Sequence, residues 1–272
     1  MGFDTSPPWG WEEPERRMTS DFQQFGFRPV GETELPRRCN GCGIAPPTAY
    51  VTVYASGKFD PNEARTGEPV GVNNRAGFFR PSHGTNDAVL AWAYSDTGWA
   101  TVRGTTAATS EPDRMLELAK AFRPNQRTPI RVPLSLANLP AHMPLAEISA
   151  GGPDGSYLRF AACGMADDGG VPDCAVDSES LRVQVFPTDA NTGHLDEQAA
   201  MPVKVGGKDG RWDETDNLAA VRIDPGQLVE FELDGAGSAA PTVKLADVLA
   251  NVTWAPDPGN EATWRPVTDW VK

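Results

Sequence analysis

The sequence has little of what most enzyme and metal sites are built from. It contains only three histidines, His83, His142 and His194. None of them lies in an H-E-x-x-H pattern, and the chain has neither a G-x-S-x-G nucleophile turn nor a Walker-type phosphate loop. The sequence therefore predicts no catalytic residue, no metal site, no cofactor and no enzymatic activity. A Ser-His-Asp triad that only folding brings together stays open, because triads are defined by geometry and not by spacing.

Long apolar runs and positive charge are also scarce. No run approaches the roughly 18 apolar residues of a membrane-spanning helix, and the N-terminus lacks the basic and then apolar order of a signal peptide. Lysine and arginine total 24 against 37 aspartates and glutamates, so the net charge is -13. Because the acidic residues run throughout the chain, nucleic acid and an anionic membrane patch are disfavoured as partners.

Length and composition describe a globular chain with many turns. At about 150 residues per domain, the 272 residues correspond to roughly two domains. The chain has 27 glycines and 25 prolines, which is above average usage but below the range that indicates disorder. We therefore expect ordered domains with short elements separated by turns.

An internal repeat is the strongest signal in the sequence. Its central motif consists of four pairs of identical residues, each 133 positions apart: Pro69 and Pro202, Val70 and Val203, Val72 and Val205, and Gly77 and Gly210. Further matches lie before and after this motif in the same order, at offsets of 130 to 132 positions. Insertions or deletions of single residues in loops would produce such small differences in offset.

Each half of the repeat has strand patterns followed by one helix pattern. Short stretches rich in Val, Trp and Tyr between turn residues predict strands, and apolar residues at helical spacing predict helices over residues 111–122 and 242–252. The predicted fold class is α+β: two tandem duplicated modules, each an antiparallel β-meander packed by one α-helix. The predicted ranges are an N-terminal segment at 1–30, loosely attached over 1–16 and packed over 19–30, a first module at 31–135 and a second module at 136–272.

The four cysteines form two local pairs. Cys39 and Cys42 have the spacing of redox pairs and zinc knuckles, but no second such pair and no neighbouring histidine completes a zinc site. Cys163 and Cys174 enclose a polar, glycine-rich loop whose closure a disulfide would favour. We predict a disulfide in each pair and hence an oxidising compartment. Free thiols, zinc and redox chemistry stay open for the first pair, and four reduced cysteines in a cytosolic protein are the alternative to both bridges.

Tryptophans supply the candidate binding residues. We choose Trp99, Trp254 and Trp264, because aromatic side chains contribute much of the binding energy at interfaces. Packing in the sheet core is the alternative for each of them. We expect the ligand or partner surface to involve the junction of the two modules, since pockets form preferentially at domain interfaces. Two acidic turns, at 167–173 and 188–197, are expected to be solvated rather than to bind calcium.

Four short segments carry a resemblance to a known group of proteins: VNNRAG at 72–77, LAWAY at 90–94, WATVRG at 99–104 and PIRVP at 129–133. Over roughly residues 30 to 270 the chain resembles the extracytoplasmic part of uncharacterised actinobacterial single-pass membrane proteins. The resemblance implies a membrane anchor before the present N-terminus and transfers no catalytic residues. A more distant likeness is to periplasmic sigma-factor regulators and lipoprotein carriers.

These observations together predict a non-catalytic extracytoplasmic binding or sensory domain of a membrane-anchored protein. Its partner would be an unknown protein or envelope ligand, with the membrane contacted only through the missing N-terminal anchor. A carrier of lipid or another apolar ligand is one alternative, and it requires a large apolar cavity. A hydrolytic enzyme is the other, and it requires a cleft that holds a histidine against a carboxylate.

Overall fold

A computed structural model of the chain describes residues 4–5, 7–19, 21–32, 47–83, 87–123, 130–152, 155–161, 178–187, 200–235 and 240–267. By its contacts the chain divides into two compact units. Unit 1 consists of Met1–Thr128 with Gly151–Pro153, and unit 2 consists of Pro129–Ala150 with Asp154–Lys272. Each unit is built on antiparallel strands, and the helices described in it are few and short.

The described elements of unit 1 are β1 (Asp4–Thr5), β2 (Trp11–Thr19), β3 (Phe22–Pro29), β4 (Ala49–Tyr54), α1 (Pro61–Ala64), β5 (Glu68–Val72), β6 (Arg75–Arg80), β7 (Ala88–Ala93), β8 (Trp99–Gly104), α2 (Pro112–Ala121) and β9 (Phe122–Arg123). Seven of these strands form an antiparallel array in the order β2-β3-β4-β8-β7-β6-β5, and β1 pairs separately with β9.

The described elements of unit 2 are β10 (Arg131–Val132), β11 (Leu134–Leu136), β12 (Leu145–Gly152), β13 (Gly155–Ala161), β14 (Ser180–Pro187), β15 (Met201–Val205), β16 (Lys208–Asp213), β17 (Leu218–Asp224), β18 (Gln227–Asp234), α3 (Leu245–Ala250), β19 (Val252–Trp254) and β20 (Arg265–Pro266), with a short 3-10 helix at Glu261–Thr263. Seven of these strands form an array in the order β12-β13-β14-β18-β17-β16-β15, and two further pairs join β10 to β20 and β11 to β19.

The two units repeat one strand order and one register. In unit 1, Val51 of β4 lies opposite Phe25 of β3 on one side and Val102 of β8 on the other. In unit 2, Val183 of β14 lies between Leu158 of β13 and Phe231 of β18 in the same way. In unit 1, α2 follows β8 and leads into β9, which pairs with β1. In unit 2, α3 follows β18 and leads into β19, which pairs with β11. The duplicated sequence thus corresponds to a duplicated topology.

The repeated sequence motif forms the hairpin at the outer end of each array. Pro69 lies in β5 and Pro202 in β15, both end strands of their arrays, where a residue without an N–H breaks no ladder bond on the open side. Each hairpin closes through a two-residue turn with positive φ at both positions, the geometry that suits the twist of antiparallel strands. The turn residues are Asn73 (φ 49°) and Asn74 (φ 62°) in unit 1, and Gly206 (φ 54°) and Gly207 (φ 87°) in unit 2.

One short helix in each unit turns its apolar side toward part of the array. The buried residues of α2 are Met115, Leu118 and Ala119, and those of α3 are Leu245, Val248 and Leu249, each 130 positions later. The edge hairpin also bonds to the helix in both units. Asn73 Nδ2 donates to the Ala119 carbonyl at 3.5 Å, and the Gly206 N–H donates to the Leu249 carbonyl at 3.1 Å.

The predicted α+β class is wrong, because the protein is mostly β. The helices over 112–121 and 245–250 are shorter than predicted, and each turns directly into a short strand. In addition, residues 11–29, assigned from the sequence to an N-terminal segment outside the modules, form the first hairpin of unit 1. Strand β2 carries five charged residues and Pro14, where the register shifts between Glu12 and Glu15. A proline at a bulge is compatible with a strand but hides it from pattern reading.

The equivalent glycines of the repeat can be tested by substitution. A Cβ added at Gly210 would lie 2.8 Å from the Ala220 carbonyl oxygen, and one added at Gly77 would lie 3.0 Å from that of Ala91. We expect Gly77→Ala and Gly210→Ala each to lower the free energy of unfolding by about 1–3 kcal/mol, because the neighbouring strand must shift. Urea denaturation measures this. Gly71→Ala is the matched control, since its Cβ would meet nothing within 4 Å, and an equal loss there would contradict the account.

Candidate functional site

The most exposed large apolar side chains of the described residues lie at one end of the first hairpin. Trp9 is 96% exposed and Val30 is 67% exposed. They are neighbours in space, because the Val30 N–H donates to the Gly10 carbonyl at 2.8 Å. We call residues 7–10 and 30–31, with the sequences PPWG and VG, the apolar tip. It contains no charged residue.

The apolar tip is fixed to the body of unit 1. Trp11, two residues after Trp9, is 5% exposed and donates from Nε1 to Glu117 Oε2 at 3.2 Å. The Arg114 guanidinium lies 5.1 Å from the centre of the Trp11 ring. Between the two tryptophans, Gly10 has φ 84°, a backbone conformation that side chains rarely adopt. One tryptophan is therefore buried in the core and the other is held outward.

Sequence reasoning missed the apolar tip, since it treated residues 1–16 as loosely attached. The signal was the segment Pro7-Pro8-Trp9-Gly10-Trp11, which has two tryptophans without a charge between them. In a regular strand, residues two apart point to the same face. The turn at Gly10 breaks that rule, so only the structure separates the buried ring from the exposed one.

Trp99, the first predicted binding residue, belongs to an aromatic cluster in unit 1. Its ring is stacked against Phe59 at 5.5 Å between centroids and against Phe78 at 6.4 Å. Tyr54 contacts the far side of Phe59 at 5.0 Å. Trp99 is half-buried, so part of its surface is accessible beside the cluster.

Trp254 and Trp264 are both held by hydrogen bonds within unit 2. Trp254 Nε1 donates to the Val205 carbonyl at 2.8 Å, and its ring meets Phe231 edge to face at 6.4 Å. Trp264 is 7% exposed, and its Nε1 donates to the Pro258 carbonyl at 2.8 Å. These contacts favour a packing role for the two rings, the alternative that the sequence left open.

A small apolar cavity lies beside Trp264. Its volume is about 20 Å³, which is room for one or two water molecules. A ligand the size of a lipid needs several hundred Å³, so this cavity of unit 2 is no carrier site. Its walls come from β10, β11, β13, β14 and the residue before β20, and include Ile130, Val132, Leu134, Leu158, Val183 and Val185.

His142 is held against a buried carboxylate in unit 2. Its Nε2 lies 3.0 Å from Glu179 Oε2, which also accepts a hydrogen bond of 2.6 Å from the Thr242 hydroxyl. Glu179 Oε1 accepts the Val243 N–H at 2.9 Å. The carboxylate thereby joins the loop before β12 to the segment before α3.

This cluster does not have the arrangement of a catalytic triad. In the described part of the chain, His142 has no other hydrogen bond. The Thr242 hydroxyl bonds the carboxylate and not the imidazole, so it is not placed to act as a nucleophile activated by His142.

The other candidate ligands do not gather into a site in the described ranges. His83 lies exposed on the surface, and His194 lies outside the described residues. No group of three His, Cys, Asp or Glu side chains that could hold a metal ion occurs among the residues described. Cys39, Cys42, Cys163 and Cys174 all lie outside those ranges, as do the acidic turns at 167–173 and 188–197, so the two disulfides stay predictions.

The hydrogen bonds to Glu179 set its titration. Burial by itself raises the pKa of this carboxyl group, but the hydrogen bonds from Thr242, Val243 and His142 outweigh burial and hold the pKa below its usual value. Because the folded pKa is depressed, the contribution to stability is complete above the unfolded pKa, about 4.3, and is lost as the pH falls through the lower folded value.

We expect Glu179→Gln to lower the free energy of unfolding by about 1–3 kcal/mol at neutral pH, because a buried hydrogen-bonded carboxylate is lost. The difference from wild type should shrink as the pH falls below about 4. Urea denaturation across this pH range measures both effects. Glu214→Gln, at an exposed position, is the control, and a constant difference at all pH values would contradict this role of Glu179.

The cysteine prediction has a direct test. Intact-mass measurement after alkylation, with and without prior reduction, should show four protected thiols in the native protein, because each predicted disulfide removes two thiols. Four thiols that alkylate without reductant would contradict both bridges and the oxidising compartment inferred from them.

The chain matches no protein-family model, no curated protein and no solved structure. The likeness to extracytoplasmic parts of actinobacterial membrane proteins therefore stays an expectation. None of the helices in the described ranges is long and apolar enough to span a membrane.

Proposed function

We propose that the protein is a non-catalytic binding or sensory domain, which acts outside the cytoplasm as part of a membrane-anchored protein, and that its partner contacts the apolar tip. The observation that carries the binding proposal is Trp9, 96% exposed on a turn held by backbone hydrogen bonds. Leaving a tryptophan in water forgoes about 1.5–3 kcal/mol that its burial would yield. A partner that covers Trp9 recovers this free energy.

The form of the tip also favours binding. Tryptophan is enriched among the residues that dominate interface energies, and the backbone that carries Trp9 is fixed before binding by hydrogen bonds, which reduces the entropy cost of covering the ring. Val30 extends the same apolar surface. Trp99, in the half-buried aromatic cluster, stays a second candidate contact of unit 1.

The carrier alternative gains no support from the cavity beside Trp264, which is too small for a lipid. The contact of His142 with Glu179 supplies the histidine and the carboxylate that the enzyme alternative requires, but no nucleophile bonds the other imidazole nitrogen among the described residues. The location outside the cytoplasm rests on the cysteine pairs and on the sequence resemblance, and is part of the proposal.

Binding is tested with the immobilised protein and a solubilised actinobacterial cell-envelope fraction. We expect wild type to retain an envelope component and Trp9→Ala to retain at least about tenfold less, since the loss of one buried ring corresponds to that factor. The free energy of unfolding of Trp9→Ala should stay within about 0.5 kcal/mol of wild type, because the side chain is exposed.

Met201→Ala is the matched control, because Met201 is the third exposed large apolar residue of the described chain, at 47%, and lies in unit 2. It should bind like wild type. Equal retention by wild type and Trp9→Ala would contradict the proposed site, and the absence of any retained component would contradict the binding function in this compartment.

A further inference from the structure

The apolar tip is chemically unlike the rest of the protein surface. The chain carries 61 charged side chains, 24 basic and 37 acidic, yet residues 7–10 and 30–31 contain none. Along the chain, the nearest charged residues are Asp4 and Glu12 around residues 7–10, and Arg28 and Glu32 around residues 30–31. The side chains of Glu12 and Arg28 face each other at 3.9 Å, and the Glu32 carboxylate accepts hydrogen bonds from the hydroxyls of Thr48 and Thr106. The guanidinium of Arg28 also donates to the Glu32 carbonyl at 2.5 Å, so this cation is already engaged within the hairpin.

The residue types at the tip suit the boundary between lipid and water. Tryptophan is enriched at the headgroup level of membranes, because its ring is apolar while its N–H still meets water. Valine, proline and glycine add apolar surface without a charge to desolvate. A protein interface would typically surround such a centre with many polar contacts, whereas the N–H of the Trp9 ring is the one polar side-chain group within residues 7–10 and 30–31.

We infer that the apolar tip inserts Trp9 and Val30 into the interfacial region of a lipid bilayer composed of uncharged or zwitterionic lipids. The inference rests on the proposed function, in which the protein lies at the outer side of a membrane. Anionic lipid offers no gain, since the net charge is -13 and the nearest cation, Arg28, is already paired. Contact with lipid through unit 1 is separate from any N-terminal anchor.

The strength of the contact follows from its size. One tryptophan and one valine give only weak partitioning by themselves, comparable to other single membrane signals that bind reversibly. The tip therefore orients a domain that is already close to the membrane, and it does not replace an anchor. Because no ion pair contributes, the partitioning should be insensitive to salt.

The test uses phosphatidylcholine vesicles at high lipid concentration and the full chain. Flotation should show partitioning of wild type that falls about tenfold or more in Trp9→Ala and clearly in Val30→Ser, since each substitution removes apolar area from the lipid. Phosphatidylcholine brominated in its acyl chains should quench part of the tryptophan fluorescence of wild type but none of that of Trp9→Phe. Trp9→Phe should keep part of the partitioning, and Met201→Ser should partition like wild type.

Three results would overturn the inference: no partitioning into phosphatidylcholine, partitioning unaffected by Trp9→Ala, or partitioning that requires phosphatidylglycerol in the vesicles. If vesicles fail while the envelope component is still lost in Trp9→Ala, the tip binds a protein. That result overturns the lipid assignment and leaves the proposed binding function intact. If Trp9→Ala changes neither experiment, both proposals fail.

Discussion

Each unit depends on the antiparallel pairing of its strands, and the helices that contact them are too short to be stable alone. An isolated helix of fewer than about 12 residues is marginal in water, and α2 and α3 have 10 and 6 residues. Their stability comes from Met115 and Leu118, or Leu245 and Val248, set against the sheet. The edge hairpins add a hydrogen bond to each helix, so that strand order, hairpin turn and helix position support one another.

A buried or half-buried carboxylate secures the segment before the helix in both units. In unit 1, Glu32 accepts hydrogen bonds from the hydroxyls of Thr48 at 2.9 Å and Thr106 at 3.2 Å. In unit 2, Glu179 accepts from Thr242 and from the Val243 N–H. The two carboxylates lie in equivalent connections but at opposite ends of them, Glu32 soon after β3 and Glu179 directly before β14. His142 joins this network only in unit 2.

The repeat and the positions of the two helices could be predicted from the sequence, because four identical pairs recur at one offset and apolar residues at helical spacing mark α2 and α3. That the repeated motif forms an edge hairpin was not predicted, since the crowding of Gly77 and Gly210 by the next strand exists only in the fold. The fold class and β2 could not be predicted, since the glutamates and arginines of β2 give no alternating pattern and Pro14 sits at a bulge. The apolar tip could not be predicted either. Trp9 is exposed and Trp11 is buried because the backbone turns at Gly10, and the residue types alone do not indicate that turn.

In the proposed function, the β-framework of unit 1 holds an uncharged tip outward for binding. Hydrogen–deuterium exchange of the full chain, compared with and without cell-envelope membranes, measures whether the tip is the surface that becomes covered. We expect new protection confined to peptides that cover residues 7–11 and 29–32, with the exchange of β4, β8, β14 and β18 unchanged. Protection elsewhere with none at the tip, or a general change across the strands, would contradict it.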